Sequence, residues 1–234
     1  MTETKVADNA IHHDALQDGI VDVTKTDDNL LKAEHILNLY KDEQIFYDDF
    51  LGSVLRDDWT GSGDAPGAAT VDNSAVSITT SAVANEKYRI NWNGKGVFDA
   101  SNNVGKAFFR PRGNLSNVKY SMGMYFDASN YIMFVYDSSV DGNWHAITNK
   151  AGTPTDTDTG IAAISNNQKL LIDLISSASV KFYINGALRA THTTNIPLSV
   201  LEPWVEAEAL STSIRTLILD KVILTGTNYT FIEP

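Results

Sequence analysis

Cysteine is absent from all 234 residues of the chain. Neither a disulfide framework nor a thiolate metal site is available, so the core alone must hold the fold. Basic residues are scarce, with 18 Lys and Arg against 29 Asp and Glu and a net charge of −11. A protein that tracks phosphates needs clustered cations to displace counterions, which argues against nucleic acid as a partner. The main basic group, Lys106, Arg110 and Arg112, is read as a solvated loop. Long apolar runs are also missing, and the opening MTETKVADNA lacks the basic-then-apolar order of a secretory signal. The expectation is a chain with no membrane span and no export address.

What is present falls into two textures. The first 44 residues hold ten acids against four lysines, a net of −6. Residues 1–26 show no sustained apolar period and read as extended chain. Asp27-Asp28 then offers an N-cap for a short helix over about 29–42, with Leu30, Ala33, Leu37 and Tyr40 at helical spacing. Such a short stripe needs a surface to lie on, which marks Leu30, Leu37 and Tyr40 as candidate assembly residues.

From residue 45 to Pro234 the chain is rich in Ser, Thr, Asn and Gly, with alternating apolar residues between frequent turn signals. This predicts one all-β, antiparallel two-sheet β-sandwich. Its clearest unit is Val180–Ile184, then Asn185-Gly186, then Ala187–Thr191, because Asn-Gly populates the positive φ angles of a two-residue type I′ turn. Lys119–Phe126 is expected to pair with Tyr131–Tyr136, and the latter with Trp144–Thr148. Tyr88, Ile90 and Trp92 alternate with polar residues as a half-buried strand. Leu170–Ile175 and Leu217–Leu224 are nearly continuous apolar runs, expected between two covered faces. Thr153–Gly160 reads as a surface loop.

Three segments carry a family resemblance. Phe46-Tyr-Asp-Asp-Phe50-Leu-Gly-Ser followed by Asp58-Trp59 resembles the opening strand of concanavalin A-like and laminin-G-like jelly rolls of bacterial and phage proteins. Phe182–Thr191 is similar to their late hairpin, and Ile218–Leu224 to their closing strand, with an acid inside an apolar run. The resemblance implies the jelly-roll fold over roughly residues 46–226. It leaves function open, because this fold hosts lectins, hydrolases, adhesins and virion parts.

The glucanases of this fold carry Glu-x-Asp-x-Glu on one strand face, since a retaining mechanism needs its acid and nucleophile about 5–5.5 Å apart. Trp204-Val-Glu206-Ala-Glu208 has that periodicity but places Trp204 where the first acid belongs, and it lies just before the closing strand. Two readings stay open: a polar strand face, or a glycan site in which Trp204 stacks on a sugar beside Glu206 and Glu208. Trp144, which follows a turn, is a second candidate platform, whereas Trp59 and Trp92 are expected in the core. None of the five histidines has metal-ligand spacing, and no nucleophile elbow or phosphate loop occurs. No cofactor is required. The resemblance implies a possible structural calcium between the opening and closing strands, at Asp49 and Asp220; the alternative is that Asp220 faces solvent or pairs with a basic residue.

The resemblance to phage domains, with the acidic arm and the lack of cysteine beside it, implies a non-enzymatic virion structural protein of a tailed phage, a capsid decoration or fibre-like protein. Residues 1–44 would dock on the major capsid or another virion protein, with the sandwich displayed outward as a homo-oligomer. Such a protein would be assembled in the host cytoplasm. The alternatives are a carbohydrate-binding module or adhesin recognising surface glycans, and, third, a glucanase-type hydrolase.

Overall fold

The computed structural model describes residues 44–94, 96–99, 105–226 and 229–231. The expected helix and Leu30, Leu37 and Tyr40 lie outside these residues. Among the described residues seventeen strands follow one another: β1 (Gln44–Asp48), β2 (Thr60–Gly63), β3 (Ala68–Asp72), β4 (Ala75–Thr79), β5 (Lys87–Asn91) and β6 (Gly96–Asp99). Next come β7 (Gly105–Gly113), β8 (Val118–Asp127), β9 (Asn130–Asp137), β10 (Asn143–Lys150), β11 (Thr153–Ala162) and β12 (Leu170–Ser176). The last are β13 (Ser179–Ile184), β14 (Ala187–His192), β15 (Val200–Ala209), β16 (Thr216–Gly226) and β17 (Tyr229–Phe231). No helix occurs among the described residues.

One sheet runs β14-β13-β12-β7-β16-β4-β3, with β1 added on β16. The other runs β11-β10-β9-β8-β15-β5-β2, with β6 also on β15 and β17 on β6. All pairings are antiparallel, and the two sheets form the sandwich. Strict period-two burial in β13, with Val180, Phe182 and Ile184 inside, shows how one face of each strand supplies the core. Phe134 and Phe182 meet edge-to-face across the core at 5.3 Å and 87°. A second aromatic cluster joins Phe46, Trp59 and Trp92. It rests on Asp48, a buried carboxylate that accepts the Trp59 Nε1–H at 2.8 Å and the Phe50 N–H at 2.7 Å.

The Asn185-Gly186 turn has the expected positive φ angles, 52° and 83°. Three sequence expectations need correction. Thr153–Gly160 is not a loop but most of β11, an edge strand whose β-branched threonines alternate with Pro154, Asp156 and Asp158. Lys106, Arg110 and Arg112 are not on a loop either; they alternate along β7 with buried Ala107 and Phe109. Finally, β12 and β16 are not covered on both faces, because Leu171, Ile218 and Ile223 are only partly buried on the outer side of their sheet.

Candidate functional site

Strand β15 places Val205 and Ala207 in the core, which turns Glu202, Trp204, Glu206 and Glu208 onto the outer face of its sheet. Its neighbours β5 and β8 complete that face. In register, Glu206 sits between Arg89 and Ser121, Glu208 between Lys87 and Lys119, and Trp204 between Asn91 and Gly123. A groove of about 440 Å³ opens over Lys87, Arg89, Lys119, Ser121, Trp204 and Glu206, with Glu208 beside it, and extends across Tyr125, Tyr131 and Met133.

Half of the groove is aromatic. Trp204 stacks on Tyr125 at 4.1 Å and 28°, and Tyr125 lies near-parallel to Tyr131 at 6.4 Å and 19°, forming a row across β15, β8 and β9. The Arg89 guanidinium lies 4.6 Å from the Trp204 ring centroid, a cation–π contact that fixes both. Trp204 is therefore only 9% exposed: it is the base of an aromatic row rather than a free platform.

The other half is charged. Lys87 Nζ is 3.1 Å from Glu208 and 3.8 Å from Glu206, and Arg89 Nη1 is 3.8 Å from Glu206. Burial pushes the Glu206 carboxyl above the usual carboxylate range, outweighing the pull of Lys87 and Arg89 in the opposite direction. Burial works against the Lys87 ammonium too, but Glu206 and Glu208 outweigh it and hold its pKa above the ordinary value. One ammonium thus converges on two carboxylates, of which one is driven toward its protonated form. Glu202 has a structural task, accepting the Asn91 amide at 2.7 Å and the Gly94 N–H at 2.8 Å.

The structure brings Trp204, Glu206 and Glu208 together and leaves Trp144 elsewhere. Trp144 is 3% exposed, inside the sandwich, where it donates its Nε1–H to Gln168 at 2.9 Å, so the expected exposed platform is corrected to a core residue. Asp220 pairs with Arg110 at 2.9 Å, and Asp49 accepts the Tyr47 hydroxyl at 3.2 Å. A different set, Asp141, His145 and Asp158, offers three converging donor atoms at the β10–β11 edge. Both His145 nitrogens are already engaged there, by Asp141 at 3.0 Å and Asp156 at 2.9 Å. Arg89, Lys87 and Tyr125 are the site residues that sequence reasoning missed. Their signal was the parity of Lys87 and Arg89 against buried Ile90 and Trp92.

The class defined by this arrangement is a concanavalin A-like jelly roll with a groove on one sheet. Solved structures agree on the fold. The Bacillus licheniformis β-glucanase is similar at 13% identity, over 77% of this chain and 97% of that chain, with a TM-score of 0.60. The laminarinase catalytic domain from Thermotoga maritima MSB8 is similar at 10% identity, over 79% and 98%, with a TM-score of 0.62. The carbohydrate recognition domain of Emp47p is similar at 12% identity, over 79% and 96%, with a TM-score of 0.58. No family model and no curated relative matches the chain. The neighbours overturn two expectations: they include glucanases, a transglycosylase, a carbohydrate recognition domain and a protein of unknown function, none of them described as a virion part, so neither the phage structural role nor the exclusion of catalysis is carried forward. At 10–15% identity they establish the fold and leave the activity to the site.

Proposed function

We propose that the groove on the outer face of the nine-stranded sheet binds a neutral oligosaccharide. The observation that carries this reading is the Trp204–Tyr125–Tyr131 row, which lies beside polar and charged groups able to hydrogen-bond hydroxyls. Sugar rings present apolar C–H faces to aromatic surfaces and a rim of hydroxyls to donors and acceptors, and the groove provides both halves. The β-1,3-glucanase among similar structures makes a β-1,3-glucan oligosaccharide the first probe. Calorimetric titration should give saturable binding that Tyr125→Ala and Glu206→Gln each weaken at least about tenfold, the cost of one lost stacking or charge-assisted contact. Absence of binding across a panel of neutral glycans, with the protein folded, sinks the proposal.

A second reading, cleavage or transfer at a glycosidic bond, is favoured by one observation, the raised Glu206 carboxyl two residues from Glu208, whose carboxylate oxygen lies 3.1 Å from the Lys87 ammonium. Glu206 would protonate the leaving oxygen, while Glu208, released by Lys87, would act on the anomeric carbon. Glu206 must hold its proton, so activity would fall as pH rises through its raised value. Release of reducing ends that Glu206→Gln abolishes supports this reading; binding without any release leaves the groove as a recognition site alone.

A further inference from the structure

The opposite side of the molecule carries an apolar row that the core does not use. Strand registers align Tyr47, Ile223, Phe108, Leu171, Tyr183 and Leu188 as successive partners across β1, β16, β7, β12, β13 and β14. Buried neighbours such as Phe46, Leu224, Phe109, Ile172 and Phe182 take the inward positions of those strands, so the row faces away from the core. Its ends are open, with Tyr47 at 45% and Leu188 at 49% exposure, and the four residues between are partly buried. With strands about 4.8 Å apart, the row is about 24 Å long and one side chain wide.

Charge flanks it on both sides. Lys106, Asp173 and Lys181 form the parallel row toward one side. Toward the other lie Arg110 with Asp220, then Lys221, whose ammonium is 5.1 Å from the Tyr47 ring centroid, and Arg112 beyond. Five cations stand against three acids, with Asp49 on the Tyr47 hydroxyl counted beside Asp173 and Asp220, on a chain whose net charge is −11. A solvated face has no need of either the apolar continuity or the local reversal of sign.

We propose that this face docks an acidic amphipathic helix of a partner protein. A helix stripe presents one apolar side chain per turn, about every 5.4 Å, so four or five of its side chains would lie along the row, whose own spacing is about 4.8 Å. Carboxylates beside the stripe would then meet Lys106, Lys181, Arg110 and Lys221. A lipid surface fits less well, because the middle of the row is partly buried between charged rows and nothing there projects for insertion.

The test uses the full chain and a synthetic helical peptide of about sixteen residues, the length that spans the row. Its stripe is leucine and its flanks are glutamate; the control peptide has lysine flanks, and phosphatidylserine vesicles form a third arm. The proposal expects saturable binding of the glutamate peptide only, weakened by salt. The double variant Lys106→Glu with Lys181→Glu should lower that affinity about tenfold with the circular dichroism spectrum unchanged. Leu171→Ser should also abolish binding, and if it unfolds the protein, the lysine variant still decides the matter. Equal binding of both peptides, binding of neither, indifference to the lysine variant, or binding of vesicles without the peptide each overturns the proposal.

Discussion

Two ordered histidines titrate in opposite senses, and each reports on a different contact. His192 is buried between the sheets, with Thr148 and Thr157 hydroxyls each 3.0 Å from one ring nitrogen. Burial lowers its pKa below the ordinary 6.5, despite the nearby Asp156 charge. The unfolded chain therefore binds the extra proton first, and stability is lost as pH falls below about 6.5. His145 differs: burial lowers its pKa, but hydrogen bonds to Asp141 and Asp156 outweigh this and raise it. Its contribution is complete below 6.5 and is lost as pH rises through the raised folded value. Urea midpoints measured from pH 5 to 8 should show His192→Gln flattening the acid limb and His145→Gln flattening the other. His192→Gln should also cost about 1–3 kcal/mol at pH 7, through threonine hydroxyls left poorly satisfied. Neither role was legible in the sequence, where the five histidines could only be tested for metal spacing. Partners such as Thr157 come from other strands, and spacing along one strand carries no sign of them.

Strands were more legible than their partners. The parity of β15, with Val205 and Ala207 inward, follows from composition, and the β13–β14 turn from Asn185-Gly186 alone. The groove required the order β8-β15-β5, which joins segments distant in sequence, so Lys87, Arg89 and Tyr125 could not be assigned to it. Trp144 was misplaced for a related reason. Strand β10 has apolar side chains on both faces, Trp144 and Ala146 inside and Ile147 in the groove face, so its parity was ambiguous until paired with β9. Gly123 tests how the strands position the site. It sits beside Trp204 in register, and a Cβ there would stand 2.1 Å from the Ile132 carbonyl oxygen and 2.7 Å from the Met133 Cα. Gly123→Ala must push β8 and β9 apart and should cost about 1–3 kcal/mol by thermal denaturation. Because Tyr125 and Tyr131 ride on those two strands, glycan affinity should fall with it, whereas Gly186→Ala, at a distant turn, should cost stability and leave affinity intact.

At the scale of the whole sandwich, one contiguous core lies beneath both the groove and the apolar row, so occupancy of a face is felt as stability of the whole. Strand β16 pairs with β1, β4 and β7, tying the first described strand to the next-to-last one, and the two sheets have no separate cores. Unfolding of this unit should be cooperative, with coincident transitions by tryptophan fluorescence and far-UV circular dichroism. Three tryptophans, Trp59, Trp92 and Trp144, report the core, while Trp204 reports the groove. An oligosaccharide bound only by the folded state stabilises it by about 2.7 kcal/mol at a hundredfold excess over Kd. For a unit of this size that raises the midpoint by roughly 5–11 °C. Both probes should move together, because there is one core to protect. With Tyr125→Ala, a tenfold loss of affinity should cut the shift to about half or less while the transitions remain coincident. An undiminished shift in that variant would place the bound sugar outside the groove, and a shift in one probe alone would mean that the sheets unfold separately.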